Sequence, residues 1–352
     1  MVEKNPYVIN FGRVPNQYIS RDYLIDSVVE TLESELVEEQ AFKLTGIRGT
    51  GKTVTLTSIE RKIRANDDWI VIGVKSNSDI VRDLVAELYS QVPFITAFVD
   101  ANLNLSAFGI GLNIKKKSPV ASIDFALKRI LKELQKLSKR VLVTIDEARK
   151  TPEIIDFIQE FQILIREDLP LYVIVAGLYE DIEALENTEG LTFFLRATKY
   201  EMQPLNLTTI RVDYMKTIGV SEEVATEMAV LTKGYAFAYQ ALGKYMWDNP
   251  KKELDLSVLS KFDDALADKV YNKIWSELTS KDRWFLQFIV QKDKMSATEL
   301  LETTKAKHNE WSVPRVRLSE KGIIDTRTRG EIKVKLPRFK EFVDNQILMG
   351  MI

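Results

Sequence analysis

The chain has 352 residues, enough for two or three domains, and its 45% hydrophobic and 28% charged residues are the balance of a folded globular protein. Lys+Arg 49 against Asp+Glu 51 leaves a formal charge of −2, so any attraction to nucleic acid or acidic lipid must be local. With no cysteine and a single histidine, His308, the composition excludes disulfides, thiolate nucleophiles, Cys-ligated zinc, iron–sulfur clusters and His-rich metal sites, and argues against a Ser-His-Asp hydrolase.

The first residues are polar and broken by proline, and apolar runs such as 171–178 fall far short of a membrane span. The expectation is a cytoplasmic protein with no membrane partner. Residues 41–45 form a short strand pattern that runs into a glycine-rich turn, and apolar positions 54, 56, 59 and 63 then share one face of a helix over 54–65. Residues 68–75 read as a buried strand, 81–92 as a helix, and 122–137 as an amphipathic helix with Phe125, Ile130, Leu131 and Leu134 on its apolar side. Between them, 101–117 alternates around Gly109 and Gly111, which predicts a hairpin ending in Lys115, Lys116 and Lys117. That end reads either as a solvated edge or as a contact for a partner or DNA. The apolar runs 141–145 and 171–176 read as strands flanking a helix at 153–165. Strands apolar on both faces, alternating with helices, imply an α/β fold whose parallel sheet is covered on both sides.

Past Pro204 the periodicity is helical and no strand is evident until about 272. Residues 280–290 then read as a helix capped by Ser280, and Ser296 with Glu299 has capping-box spacing for a second. Val313 opens a third, with Pro314 suited to its first turn, and 318–335 reads as two strands around a turn at 328–330. Three helices and a hairpin form the winged-helix variant of helix-turn-helix.

Chemistry concentrates in two places. Gly46, Ile47, Arg48, Gly49, Thr50, Gly51, Lys52 and Thr53 fit the phosphate-loop spacing, with a strand before and a helix after. Glycines let backbone N–H groups turn inward around phosphates, and the helix start adds its positive end. Lys52 can reach the β- and γ-phosphates of ATP, and the Thr53 hydroxyl can hold Mg²⁺. About ninety residues later the strand 141–145 ends in Asp146 and Glu147, suited to orient the metal and to activate water respectively.

This order of motifs resembles the AAA+ superfamily, and within it the prokaryotic origin-recognition-like (ORC/Cdc6-like) ATPases. The opening stretch through Arg21 resembles the segment in which an arginine borders the nucleotide base. Residues 171–181 resemble the fourth strand, 191–196 the segment carrying an arginine near the γ-phosphate, and 233–237 the lid signature. The resemblance implies a P-loop NTPase with a parallel sheet flanked by helices at 1–206, an all-helical lid at 207–272 and a winged-helix domain at 273–352. It also implies ATP and Mg²⁺ as cofactors and an ATP-dependent homo-oligomer in which Arg196 completes a site. On the residues alone, Arg196 reads equally as a surface arginine near Glu189 or Glu201.

The departures point to slow hydrolysis. The fourth strand ends in Ala176 and Gly177 where relatives carry a polar residue, and Tyr235, Ala236 and Phe237 offer no lid arginine. Ala148, Arg149 and Lys150 follow Glu147 where relatives often have His. Positioning and charge stabilisation supply most phosphoryl-transfer catalysis, so these gaps spare binding and lower turnover.

From 305 to 340 there are eleven Lys/Arg and four Asp/Glu, a local excess of seven. Such an island is the electrostatic footprint expected for double-stranded DNA, with Arg315 and Arg317 on the third helix and Arg327, Arg329 and Lys333 on the wing. The alternative is a nucleotide-gated signalling or scaffold switch whose C-terminal domain contacts protein. Trp311 reads as core.

Overall fold

Strand periodicity and helix caps build two compact units in the computed structural model, which describes residues 4–10, 15–34, 39–103, 105–110, 122–292, 294–305, 308–328 and 330–350. One unit comprises Asp22–Thr45 and Lys52–Glu201; the other comprises Met1–Arg21, Gly46–Gly51 and Met202–Ile352.

The first is a parallel sheet of β1 (Ala41–Thr45), β2 (Trp69–Val74), β3 (Arg140–Ile145), β4 (Leu171–Gly177) and β5 (Thr198–Glu201), in the order β2-β3-β4-β1-β5. Helices α1 (Asp22–Glu33), α2 (Lys52–Arg64), α3 (Ile80–Gln91), α4 (Pro93–Asn102), α5 (Ile123–Lys136), α6 (Pro152–Ile165) and α7 (Tyr179–Glu186) accompany it. Alternation sorts the strand residues between two cores. Phe42, Leu44, Leu142 and Ile174 pack with Ile25 of α1 and Ile59 of α2. On the other face Ala41, Val143 and Val173 pack with residues of α3, α5, α6 and α7. The expected α/β layering is present.

Two local expectations change. Phe125 is exposed, and the buried stripe of α5 is Ala126, Leu127, Ile130, Leu131 and Leu134. In place of the first half of the hairpin, α4 runs through Asn102 and residues 106–108 form a 3-10 turn. Pro93 opens α4, and Ile95, Val99 and Leu103 are buried at four-residue spacing, so a helical period lies beneath the alternation. Gly111, Lys115, Lys116 and Lys117 lie outside the described residues.

The second unit carries α8 (Leu207–Ile218), α9 (Glu222–Thr232), α10 (Ala236–Asp248), α11 (Leu256–Leu266) and α12 (Asn272–Ser276). The N-terminal segment joins them at Asp213, whose Oδ2 accepts from the hydroxyls of Tyr7 at 2.9 Å and Tyr239 at 2.6 Å. Burial, reinforced by that carboxylate, pushes both phenols up and keeps them donors.

There follow α13 (Ser280–Ile289), β6 (Lys294–Ser296), α14 (Ala297–Thr304), α15 (His308–Glu320), β7 (Ile324–Asp325), β8 (Glu331–Val334) and α16 (Phe339–Leu348). The strands form an antiparallel sheet in the order β6-β8-β7, so a third strand joins the two expected from sequence. The Ser296–Glu299 capping box forms as expected. The cap of α13 is Thr279, one residue before Ser280, in a capping box with Asp282. Pro314 lies inside α15, which starts at His308. Trp311 is buried and stacks on Phe285 with ring centroids 6.4 Å apart.

Candidate functional site: a phosphate loop and a carboxylate strand end

The loop Gly46–Gly51 belongs to the second unit. Gly49 and Gly51 have φ of 80° and 91°, which L-residues rarely adopt and which a phosphate-cradling turn requires. The Thr50 hydroxyl donates to the Ile47 carbonyl at 2.8 Å and closes the loop. Residues 235–237 rest on it: the Tyr235 hydroxyl donates to the Arg48 carbonyl, and the Phe237 N–H donates to the Gly49 carbonyl at 3.0 Å. A Cβ on Gly49 would strike the Tyr235 hydroxyl.

Arg21 also reaches this loop. Its Nη2 donates to the carbonyls of Thr50 at 2.9 Å and Gln203 at 3.0 Å, and its Nη1 lies 3.2 Å from where a Cβ on Gly51 would stand. Burial pulls its guanidinium down to about 10, with no carboxylate paired to it among the described residues. A buried cation lacking an acidic partner, beside two glycines with left-handed φ, suits an anionic ligand.

In the first unit, Lys52 and Thr53 open α2. Thr53 Oγ1 donates to Asp146 Oδ2 at 2.6 Å, and the Glu147 N–H donates to Asp146 Oδ1 at 2.9 Å. Glu147 holds φ at 52°, an uncommon left-handed conformation for this residue type, and its side chain is exposed. The Ala148 N–H then donates to the Ala176 carbonyl at 2.9 Å, tying this turn to the end of β4. That tie explains Gly177, because a Cβ there would lie 2.8 Å from the Ala148 carbonyl oxygen. Close packing, then, takes the position where a polar side chain would have stood.

Thr53 and Asp146 fit Mg²⁺ chemistry: one hydroxyl and one carboxylate converge, as for an ion completed by substrate phosphates and water. No group of three or more His, Cys, Asp or Glu that could hold a metal occurs among the described residues. A resident metal cage is therefore not what this pair resembles.

Arg196 ends a 3-10 turn, Thr192–Arg196, and is exposed. Neither Glu189 nor Glu201 forms an ion pair with it among the described residues. In the C-terminal module, Arg317 is turned to the fold. Its Nε and Nη2 donate to Asp282 Oδ1 at 3.0 and 2.7 Å, and Nη2 reaches the Thr279 hydroxyl at 2.9 Å. Asp282 is 1% exposed, so this guanidinium neutralises a buried carboxylate. Arg327 pairs with Asp325 at 3.1 Å and holds that carboxyl at about 2. Arg315 is half-buried, Lys333 is exposed on β8 opposite Lys294, and Arg329 lies outside the described residues. The outward side of α15 carries the exposed Val313 and Val316.

Tyr235 stood in the sequence as part of a lid signature without a role of its own; its signal was a tyrosine beside a Lys-Gly pair that turns left-handed at both residues. Lys43 was missed as well, although a lysine inside an apolar strand is visible in the sequence.

Residues 268–343 match a family model described as a domain of unknown function, DUF8462. No curated protein sequence matches. A Walker-type ATPase of Pyrococcus abyssi superposes with a TM-score of 0.63 at 16% identity, covering 94% of this chain and 96% of that one. The Aeropyrum pernix ORC2 protein, solved as ADPNP-ADP complexes, gives 0.61 at 12% identity, over 97% and 98%. Its ADP form gives 0.51 at 13% identity, over 97% of each chain. The fold is that of the origin-recognition-like P-loop ATPases. No helix among the described residues is long and apolar enough to cross a membrane.

Proposed function

We propose that the protein is an AAA+ ATPase that binds ATP with Mg²⁺ at Gly46–Thr53 and hydrolyses it slowly. The observation that carries this reading is the Thr53–Asp146 hydrogen bond, which brings the hydroxyl of the loop motif to the carboxylate at the strand end. Thr53 and Asp146 would hold the metal, and Mg²⁺ when bound neutralises charge on the phosphate oxygens. Lys52 pairs with the β- and γ-phosphates, and the N–H groups around Gly49 and Gly51 bind phosphate oxygens. Glu147, exposed and set on a sharp turn, accepts a proton from the attacking water. Arg21 contributes positive charge at the loop edge, and Arg196, from its own or a neighbouring subunit, stabilises charge on the γ-phosphate. Gly177 and the arginine-free lid keep turnover low.

The domain reading that accompanies this is a nucleotide-binding domain at 1–206, a helical lid at 207–272 and a winged helix at 273–352. The winged helix binds double-stranded DNA through Arg315, Lys333 and the wing. Exposed Val313 and Val316 on α15, with Arg317 committed to Asp282, favour a second reading, in which this helix contacts protein. Duplex DNA binding measured with and without ATP across a salt series separates them. A steep loss of DNA affinity with salt supports the first reading; no DNA affinity at low salt supports the second.

A further inference from the structure

Lys43, whose partner in register on β5 is Lys199, is the charged residue of β1. It sits midway along β1, which has β4 on one side and β5 on the other, and its side chain is 1% exposed. A buried ammonium is costly unless its protons are partnered, and here they are. Nζ donates to Glu186 Oε1 at 2.7 Å, to the Phe194 carbonyl at 2.7 Å and to the Leu195 carbonyl at 3.3 Å. The other Glu186 oxygen accepts from Lys199 at 2.7 Å. Burial pushes Glu186 up, but the hydrogen bonds from Lys199 and Lys43 outweigh it and hold the carboxyl below its ordinary range. Burial pulls Lys43 down, opposed by Glu186, and the pair is ionic.

The two carbonyls belong to the residues immediately before Arg196. Their turn is a single 3-10 element in which Phe194 is the buried residue and Leu195 and Arg196 are exposed. Such turns are short and have poor internal hydrogen bonds, so an outside donor to the last carbonyls decides where the following side chain starts. Stability alone does not explain the lysine, because exchanging a buried ion pair for apolar residues of similar volume is often neutral or stabilising.

We infer that Lys43, kept charged by Glu186, is a positioning residue that fixes the Arg196 turn against the strand leading into the phosphate loop. The inference rests on the reading of Arg196 as the arginine of the γ-phosphate. A misplacement of about 1 Å at a reacting centre can cost on the order of a hundredfold in rate, so a small shift of this turn is measurable.

The test is single-turnover ATP hydrolysis by the full chain, with ADP affinity measured alongside, for Lys43→Met, Arg196→Ala and the double variant. Arg196→Ala should lower the rate by about 10³-fold or more. Lys43→Met should lower it by about ten- to a hundredfold with ADP affinity within about twofold of wild type. The double variant should match Arg196→Ala alone. Wild-type turnover in Lys43→Met beside an impaired Arg196→Ala, or losses that multiply in the double variant, would overturn the inference while leaving the Arg196 reading in place. Wild-type turnover in Arg196→Ala would overturn the Arg196 reading and the inference with it. If Lys43→Met does not fold, Glu186→Gln takes its place in the same cycle. A loss that Arg196→Ala masks supports the inference, and one that multiplies with it overturns it.

Discussion

Thr53 and Asp146 are 93 positions apart in sequence and meet through a 2.6 Å hydrogen bond between Oγ1 and Oδ2. A helix start and a strand end therefore present one hydroxyl and one carboxylate to the same point, the arrangement that orients a divalent ion bound to phosphates. Asp146→Asn keeps the shape and the hydrogen-bonding oxygen but removes the charge. ATP affinity with Mg²⁺ should fall by about tenfold or more, and affinity in excess chelator should change little. Calorimetric titrations with and without the metal check this, and an equal loss in both would deny Asp146 a metal role.

Glu147 is exposed and held on a left-handed turn, with its N–H bonded to Asp146. Glu147→Gln should retain nucleotide affinity and lower turnover by about 10²-fold or more, because only the proton acceptor is lost. Phosphate release under saturating ATP reads the effect; a rate equal to wild type would remove Glu147 from the chemistry.

Arg317 serves a buried carboxylate and should behave as a stability residue. Arg317→Met should lower the stability of the C-terminal module by about 1–3 kcal/mol, less than a fully buried pair because Arg317 is one-third exposed. If the protein binds duplex DNA, the slope of log affinity against log salt should stay unchanged in this variant. A slope smaller by about one would mean that Arg317 meets a phosphate.

Acid should weaken the same module. A hydrogen bond from Lys292, with those from Ser296, holds the Glu299 carboxyl at about 2, and Arg327 does the same for Asp325. Both values lie below those of an unfolded chain, so the stabilisation is complete above about pH 4.5 and is lost as pH falls through about 2. Helicity followed through an acid titration should show that loss, with a shallower slope in Glu299→Gln. An identical slope would mean the capping carboxylate is not linked to folding.

The parallel sheet and the phosphate loop were legible because their signals are local. Strands apolar on both faces and a fixed glycine spacing need no knowledge of distant neighbours. Asp146 was legible for the same reason, as a charge ending an apolar run. What stayed hidden depends on partners far along the chain. The excess of basic residues over 305–340 counts Arg317 as positive, yet Asp282, 35 residues earlier, takes up that charge. Pro314 suggests a first turn, whereas α15 already runs from His308 and absorbs the proline internally. The first half of the expected hairpin is replaced by helix because Ile95, Val99 and Leu103 obey a helical period that the alternation around Gly109 conceals. Lys43 shows the same limit from the other side: its place in β1 was readable, but its bond to Glu186, 143 residues later, was not.

Isothermal titration of Mg²⁺-ATP into the full chain reads out phosphate binding at Gly46–Thr53 itself. Wild type should bind one nucleotide per chain. Lys52→Ala should lose binding, or weaken it by about a hundredfold or more, because the cation that pairs with the β- and γ-phosphates is gone. Circular dichroism of the two proteins should coincide. Equal affinities in wild type and Lys52→Ala, or no nucleotide binding by the folded wild-type chain, would mean that Gly46–Thr53 is not an ATP phosphate site.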